Sequence, residues 1–199
     1  MKKGWDEPFK LFLQINSLLM RKLSMEELNR KSVEEFRRAE KIPVIAVLEN
    51  IRSAYNVGSV FRTADAFLIE AVYITGYTAK PPHKEITKTA LGAQDSVEWK
   101  YFENTKIAIE ELRQNNFKIF AVEQVADSIS LEKFSELNIE KTVFIFGNEV
   151  SGIDQETILL CDGCIEIPQF GMKHSLNISV AAGIVLWEAV RTKSKKNIL

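Results

Sequence analysis

The chain has 199 residues, of which 46% are hydrophobic, 10% aromatic and 27% charged. That is enough for one core plus a short appendage, and too apolar for a disordered chain. Lys and Arg number 26 against 27 Asp and Glu, a formal charge of −1. This balance excludes a histone-like or polybasic protein and, taken alone, argues against a nucleic-acid partner. No run approaches the roughly 18 apolar residues of a membrane span. At the N-terminus, Lys2 and Lys3 precede FKLFLQINSLLM. Polar Gln14, Asn16 and Ser17 interrupt that run and no small-residue cleavage site follows, so no cleavable signal is expected.

The first forty residues differ from the rest. Phe9, Phe12, Leu13, Leu19 and Leu23 fall on one helical face, and Ser24 with Glu27 forms a capping box for a second helix over 25–40. Residues 1–41 therefore read as a helical extension, and 42–199 as the main domain.

After Pro43 the period changes. VIAVLE (44–49), AVYIT (71–75), FKIFAVE (117–123), TVFIFG (142–147) and CIEIP (164–168) are short apolar runs. They suit parallel strands buried on both faces. Helical patterns lie between them at about 57–68, 104–115 and 177–193. The expected fold is α/β, a mostly parallel sheet flanked by helices. The tail KSKKNIL is expected to fray.

Charge follows the same boundaries. Residues 1–41 carry a net +3, residues 42–190 a net −8, and residues 191–199 a net +4. The basic ends, 9–40 and 191–199, are assigned to contact with a phosphate backbone; the alternative is dimer or core packing with a solvated basic face, which for 9–23 weighs almost equally.

Cys161 and Cys164 form a lone C-x-x-C. Zinc would need a second ligand pair, and His83 and His174 are distant and separate. The pair does not open a helix as redox dithiols do, so core thiols in a reducing, cytoplasmic setting are expected, with no metal.

Three strand-following loops are rich in Gly, Asn and Ser, and ligands of open α/β sheets gather at strand carboxyl ends. In ENIRSAYNVGSVFRTADAF, Asn56 is an N-cap candidate and Gly58 allows close backbone approach. Ser59 and Arg62 could receive a phosphate or carboxylate; alternatively Arg62 pairs with Asp65 or Glu49. In FIFGNEVSGI, the glycines at 147 and 152 either bare backbone amides to a ligand, or Asn148 and Gly152 serve a turn through their tolerance of positive φ, while Glu149 is suited to holding an Arg or Asn. In IPQFGMKHSLNISVAAGIVLWEAVR, Ser175, Asn177 and Ser179 crowd the start of a small-residue helix. His174 lacks an acid partner and a nucleophile, which disfavours a hydrolase. Dinucleotide and P-loop fingerprints are missing.

Together the three segments resemble the signature motifs of the SpoU (TrmH-like) family of RNA 2′-O-ribose methyltransferases, within the SPOUT superfamily. The first motif is matched at Asn56, Gly58, Arg62 and Thr63 through Phe67, the second at Gly147, Glu149 and Gly152, the third from Ile167 through Ala181. KTALGA (88–93) is similar to the family's linking segment. The resemblance implies a C-terminal deep trefoil knot, a homodimer, and S-adenosylmethionine held near Gly147, Ile167 and Leu176. It implies catalysis by Arg62, with Asn56 and Ser175 positioning the hydroxyl or Arg62, and Glu149 and Asn177 fixing the loops and orienting Arg62. The implied substrate is tRNA or rRNA, with no membrane partner. A catalytically silent RNA-binding module of the same fold is the alternative, and the bare pattern alone allows a small-molecule α/β enzyme.

Overall fold

The computed structural model describes residues 10–12, 16, 21–24, 26–28, 30–172 and 175–197, with 194–197 by backbone alone. The chain divides into two compact units, Met1–Ser32 and Val33–Leu199.

In the first unit, residues 10–12 and 16 are helical and 26–28 form a turn. Phe12 and Leu23 are exposed; Phe9, Leu13 and Leu19 lie outside the described residues. The capping box forms: Ser24 N–H donates to the Glu27 carboxylate at 2.8 Å and Glu27 N–H to the Ser24 hydroxyl at 3.4 Å. The helix expected over 25–40 does not follow it. Residues 30–32 are not helical, and only α1, Val33–Arg38, is formed. Arg30, Lys31 and Ser32 have no apolar side chain to bury, and so short a segment needs packing to stay helical. In α1 that packing comes from Phe36, which is buried in the core of the second unit.

The second unit is a seven-stranded sheet. Its strands are β1 (Ile42–Glu49), β2 (Ile69–Thr75), β3 (Glu98–Phe102), β4 (Lys118–Val122), β5 (Ile129–Ser130), β6 (Thr142–Phe146) and β7 (Gly163–Glu166). They run in the order β3-β2-β1-β6-β4-β7-β5, and every pairing is parallel. Alternate residues of β1 serve two cores, as a pleated strand covered on both faces requires. Val44, Ala46 and Leu48 pack with α2 (Ala54–Ala66), α3 (Lys84–Ala90), α4 (Ala93–Ser96) and α7 (Ile178–Asn197). Ile45 and Val47 pack with α5 (Thr105–Gln114) and the surroundings of α6 (Gln155–Leu159).

Helix α7 is helical as far as Asn197, so residues 193–197 of the tail expected to fray continue the helix. Arg191 pairs with Glu188 at 2.5 Å and Lys193 donates to the Ile139 carbonyl at 2.9 Å. Two of the basic residues assigned above to a phosphate backbone are thus engaged within the domain. Cys164 is buried in β7, and Cys161 donates to the Thr157 carbonyl at 3.3 Å. Burial, then the neighbouring Cys164, pushes the Cys161 thiol up to about 12. Both properties fit core thiols. Among the described residues no helix is long and apolar enough to cross a membrane.

Helices α2 and α3 touch backbone to backbone at Gly58, where a Cβ would collide with the Ile86 carbonyl and the Thr89 hydroxyl. Alanine ordinarily favours a helix over glycine by about 1 kcal/mol. Here overpacking should win, and Gly58→Ala should lower unfolding stability by about 1–3 kcal/mol in denaturant titration. A gain in stability would show that the two helices can separate without cost.

Candidate active site

Parallel pairing brings the carboxyl ends of β1, β4, β6 and β7 to one edge of the sheet, and the three motif loops with them. A cleft of about 620 Å³ opens there, lined in part by Gly147, Glu149, Ile167, Ser175, Leu176 and Asn177. Its apolar wall includes buried Ile165 and Ile178.

Glu149 joins the loops. Its carboxylate accepts from Arg52 N–H at 2.9 Å, Ser53 N–H at 3.1 Å and the Asn56 amide at 2.9 Å. The first turn of α2 holds no acidic residue of its own. Glu149 therefore supplies, from a loop 93 residues away in sequence, the negative charge that a helix N-terminus favours. Asn56 Oδ1 in turn accepts from the Asn177 amide at 3.2 Å. Asn177 caps α7, its side-chain oxygen accepting from Ser179 N–H at 2.9 Å and its backbone carbonyl from Val180 and Ala181 N–H. The three motifs are linked by one chain of hydrogen bonds.

Several expectations change in detail. The N-cap of α2 is Ser53, whose hydroxyl accepts from Asn56 N–H at 3.3 Å, and the helix begins at Ala54. Asn56 sits inside the first turn, which frees its side chain to reach Glu149 and Asn177. Arg62 pairs with neither Asp65 nor Glu49. Asp65 accepts from Ser96, and buried Glu49 accepts from Asp154 N–H and the Thr157 hydroxyl at the start of α6. Glu149 and Asn177 orient Asn56 and two helix starts rather than Arg62, which is exposed and lines a separate groove beside Ser59 and Thr63. Arg62 makes no hydrogen bond or ion pair among the described residues. Ser175 is exposed on the cleft rim, and His174 lies outside the described residues.

The glycines of the second motif shape the loop itself. A Cβ on Gly147 would strike the backbone of Gly152 and Ile153, and Gly152 has φ +71° with Glu123 packed against it. Asn148 tightens the turn, accepting from Val150 and Ser151 N–H and donating to the Asn50 carbonyl at 2.8 Å. Glu123, on the cleft wall, accepts from Ile153 N–H at 3.2 Å. It was not singled out in the sequence, although it ends the β4 run at the edge where ligands gather.

The cleft joins an apolar wall to hydrogen-bonding backbone and carboxylate groups at a strand-end edge, a lining that suits a nucleoside-bearing cofactor. Such a site, at the carboxyl ends of an all-parallel α/β sheet with Asn- and Ser-capped helix starts beside it, defines the ligand-binding edge of an open α/β protein. Residues 43–187 match the SpoU rRNA Methylase family, and the chain belongs to that family. It is 30% identical over 173 residues to a tRNA (guanosine(18)-2′-O)-methyltransferase of Thermus thermophilus, covering 86% of this chain and 87% of the relative. The crystal structure of the A. aeolicus TrmH/SpoU tRNA modifying enzyme superposes with a TM-score of 0.73 at 27% identity, over 83% of this chain and 82% of that one. The SpoU methyltransferase AviRb from Streptomyces viridochromogenes, in complex with AdoMet, shares the fold with a TM-score of 0.70 at 20% identity, over 84% and 64% of the two chains.

Burial works to raise the Glu149 carboxyl, but the hydrogen bonds from Arg52, Asn56 and Ser53 outweigh it and hold the group below the usual carboxylate value of 4.5. A lowered folded-state pKa stabilises the fold above the unfolded value, and that contribution is lost as pH falls through the folded one. Glu149→Gln should therefore cost about 1 kcal/mol at neutral pH, discounted for the site's exposure. The difference from wild type should close in acid, below the lowered value. Equal differences in thermal midpoint at pH 7 and in acid would contradict this role for the charge.

Proposed function

We propose that the protein transfers a methyl group from S-adenosylmethionine to a ribose 2′-hydroxyl of structured RNA, either tRNA or rRNA. The observation that carries this reading is the Glu149–Asn56–Asn177 chain of hydrogen bonds, which gathers three family motifs at one strand-end cleft. Gly147, Ile167 and Leu176, which line the cleft, would hold the cofactor. When bound, S-adenosylmethionine supplies an electrophilic sulfonium methyl group.

The chain's own task is to align a weak nucleophile and let its proton leave. Arg62 acts as a phosphate anchor beside the target ribose, its planar fork suited to a phosphate, and the hydroxyl proton leaves with the assistance of that phosphate. Its guanidinium is free of internal partners among the described residues and available for this contact. Ser175, which lines the cleft, would meet the hydroxyl. Asn56, Glu149 and Asn177 act by positioning, since their polar atoms are committed to one another.

Further parts of the reading rest on family resemblance together with local features. A trefoil knot would form where the chain after β7 leads into α7. A homodimer would cover Val180, Ile184 and Trp187, exposed at helical spacing on α7, with the Trp187 ring 5.6 Å from that of Phe67. Residues 42–199 would be the methyltransferase domain and 1–41 an extension contacting RNA or packing. Two free thiols suit a cytoplasmic, reducing setting.

Arg62→Lys preserves charge but loses the planar fork. It should cut methyl transfer to RNA by about tenfold or more, because a bidentate phosphate contact is replaced by a point charge. Binding of S-adenosylmethionine by calorimetry should be unchanged. Near-normal turnover by the variant in a labelled-methyl assay would refute the anchor role.

A further inference from the structure

The domain that carries the cleft has a net charge of −8 over residues 42–190, an unfavourable surface for a polyanion. One groove of about 510 Å³ between α2 and α3 departs from that average. It is lined by Arg62 and Lys88 with the hydroxyl-bearing Ser59, Thr63 and Thr89, and among the described residues no carboxylate lines it.

The placement of the second cation is built into the packing. Gly58 lets α3 lie against α2 at the Ile86 carbonyl, and the Thr89 hydroxyl donates to the Tyr55 carbonyl at 2.9 Å. These contacts fix the register of α3, so Lys88 projects into the groove that holds Arg62, with its ammonium 5.8 Å from the Tyr55 ring. Lys88 is exposed and, like Arg62, forms no ion pair among the described residues. The Ser59, Thr63 and Thr89 hydroxyls donate to helix carbonyls, which leaves the two cations as the groove's free donors. Two positive charges in one groove, unopposed by any carboxylate there, repel each other and are relieved by an anion.

We propose that Lys88 is a substrate-binding residue: it holds a second backbone phosphodiester of the RNA strand, next to the one at Arg62, and so sets the path of that strand along α2 and α3. This rests on the reading that the protein acts on RNA. The ligand class follows from the donors, a planar guanidinium and a point-charge ammonium in an open groove, which suit successive phosphates of a chain. It also accounts for how an acidic domain holds RNA, since the phosphate contacts come from a local groove and need no basic surface.

The test compares wild type, Lys88→Gln and Lys88→Arg for affinity to unfractionated tRNA and rRNA between about 50 and 200 mM salt. Each lost phosphate contact lowers the slope of log affinity against log salt by about 0.7–0.9. Lys88→Gln should lose that much slope, so its affinity deficit should narrow roughly threefold over this range. Lys88→Arg should keep the wild-type slope, and S-adenosylmethionine affinity by calorimetry should be the same in all three. An unchanged slope in Lys88→Gln, with wild-type RNA binding intact, overturns this inference alone. A shift in the monomer–dimer balance at unchanged slope assigns the groove to protein contact and likewise overturns it. Wild type that binds and methylates neither RNA removes the underlying reading as well.

Discussion

One carboxylate determines how this domain's functional edge is assembled. Glu149 accepts three hydrogen bonds from the start of α2, two of them from backbone amides that the helix cannot satisfy internally. The loop after β6 is thereby fastened to the helix after β1, and Asn56 extends the link to Asn177 at the start of α7. A second tie joins the first two loops, where Asn148 donates to the Asn50 carbonyl. The Glu149 tie is electrostatic, and the hydrogen bonds that form it hold the carboxyl below the usual carboxylate value.

The same edge uses a second carboxylate differently. Buried Glu49 ends β1 and satisfies the start of α6 through Asp154 N–H and the Thr157 hydroxyl. Glu123 follows β4 and supports the turn at Gly152 and Ile153. Strand-end acids here mostly hold backbone in place, and Arg62 is left unpaired on the neighbouring groove, among the described residues. The division is physically sensible. Groups that shape the cleft are saturated by internal partners, while the cation that would meet a polyanion is left available.

The sequence was informative where burial imposes a pattern. The runs that become β1, β2, β4, β6 and β7 are covered on both faces, so they are nearly all apolar and stand out. Strand β3, EWKYF, lies at the sheet edge with mostly exposed or half-buried residues, and its mixed composition gave no signal. Strand β5 and helices α3, α4 and α6, between two and seven residues long, are too short for a periodicity to register. The capping box at Ser24 formed its hydrogen bonds without nucleating the expected helix, because a cap stabilises a helix start and cannot replace a buried face. Motif spacing singled out Asn56, Glu149 and Asn177, but not that they bind one another. Contacts across 93 and 121 residues depend on strand order, which no local pattern encodes. The average charge misled for a related reason: two cations brought together by helix packing count for nothing in a sum over the chain.

Methylation of a ribose 2′-hydroxyl has a chemical signature that separates it from methylation of a base. The hydroxyl is the internal nucleophile of alkaline RNA cleavage, so a methyl group on it protects the adjoining phosphodiester. The most direct test incubates the protein with labelled S-adenosylmethionine and total RNA, digests the RNA in alkali, and asks where the label runs. The account predicts label in alkali-resistant dinucleotides. Label confined to mononucleotides, or none incorporated into RNA, would contradict it.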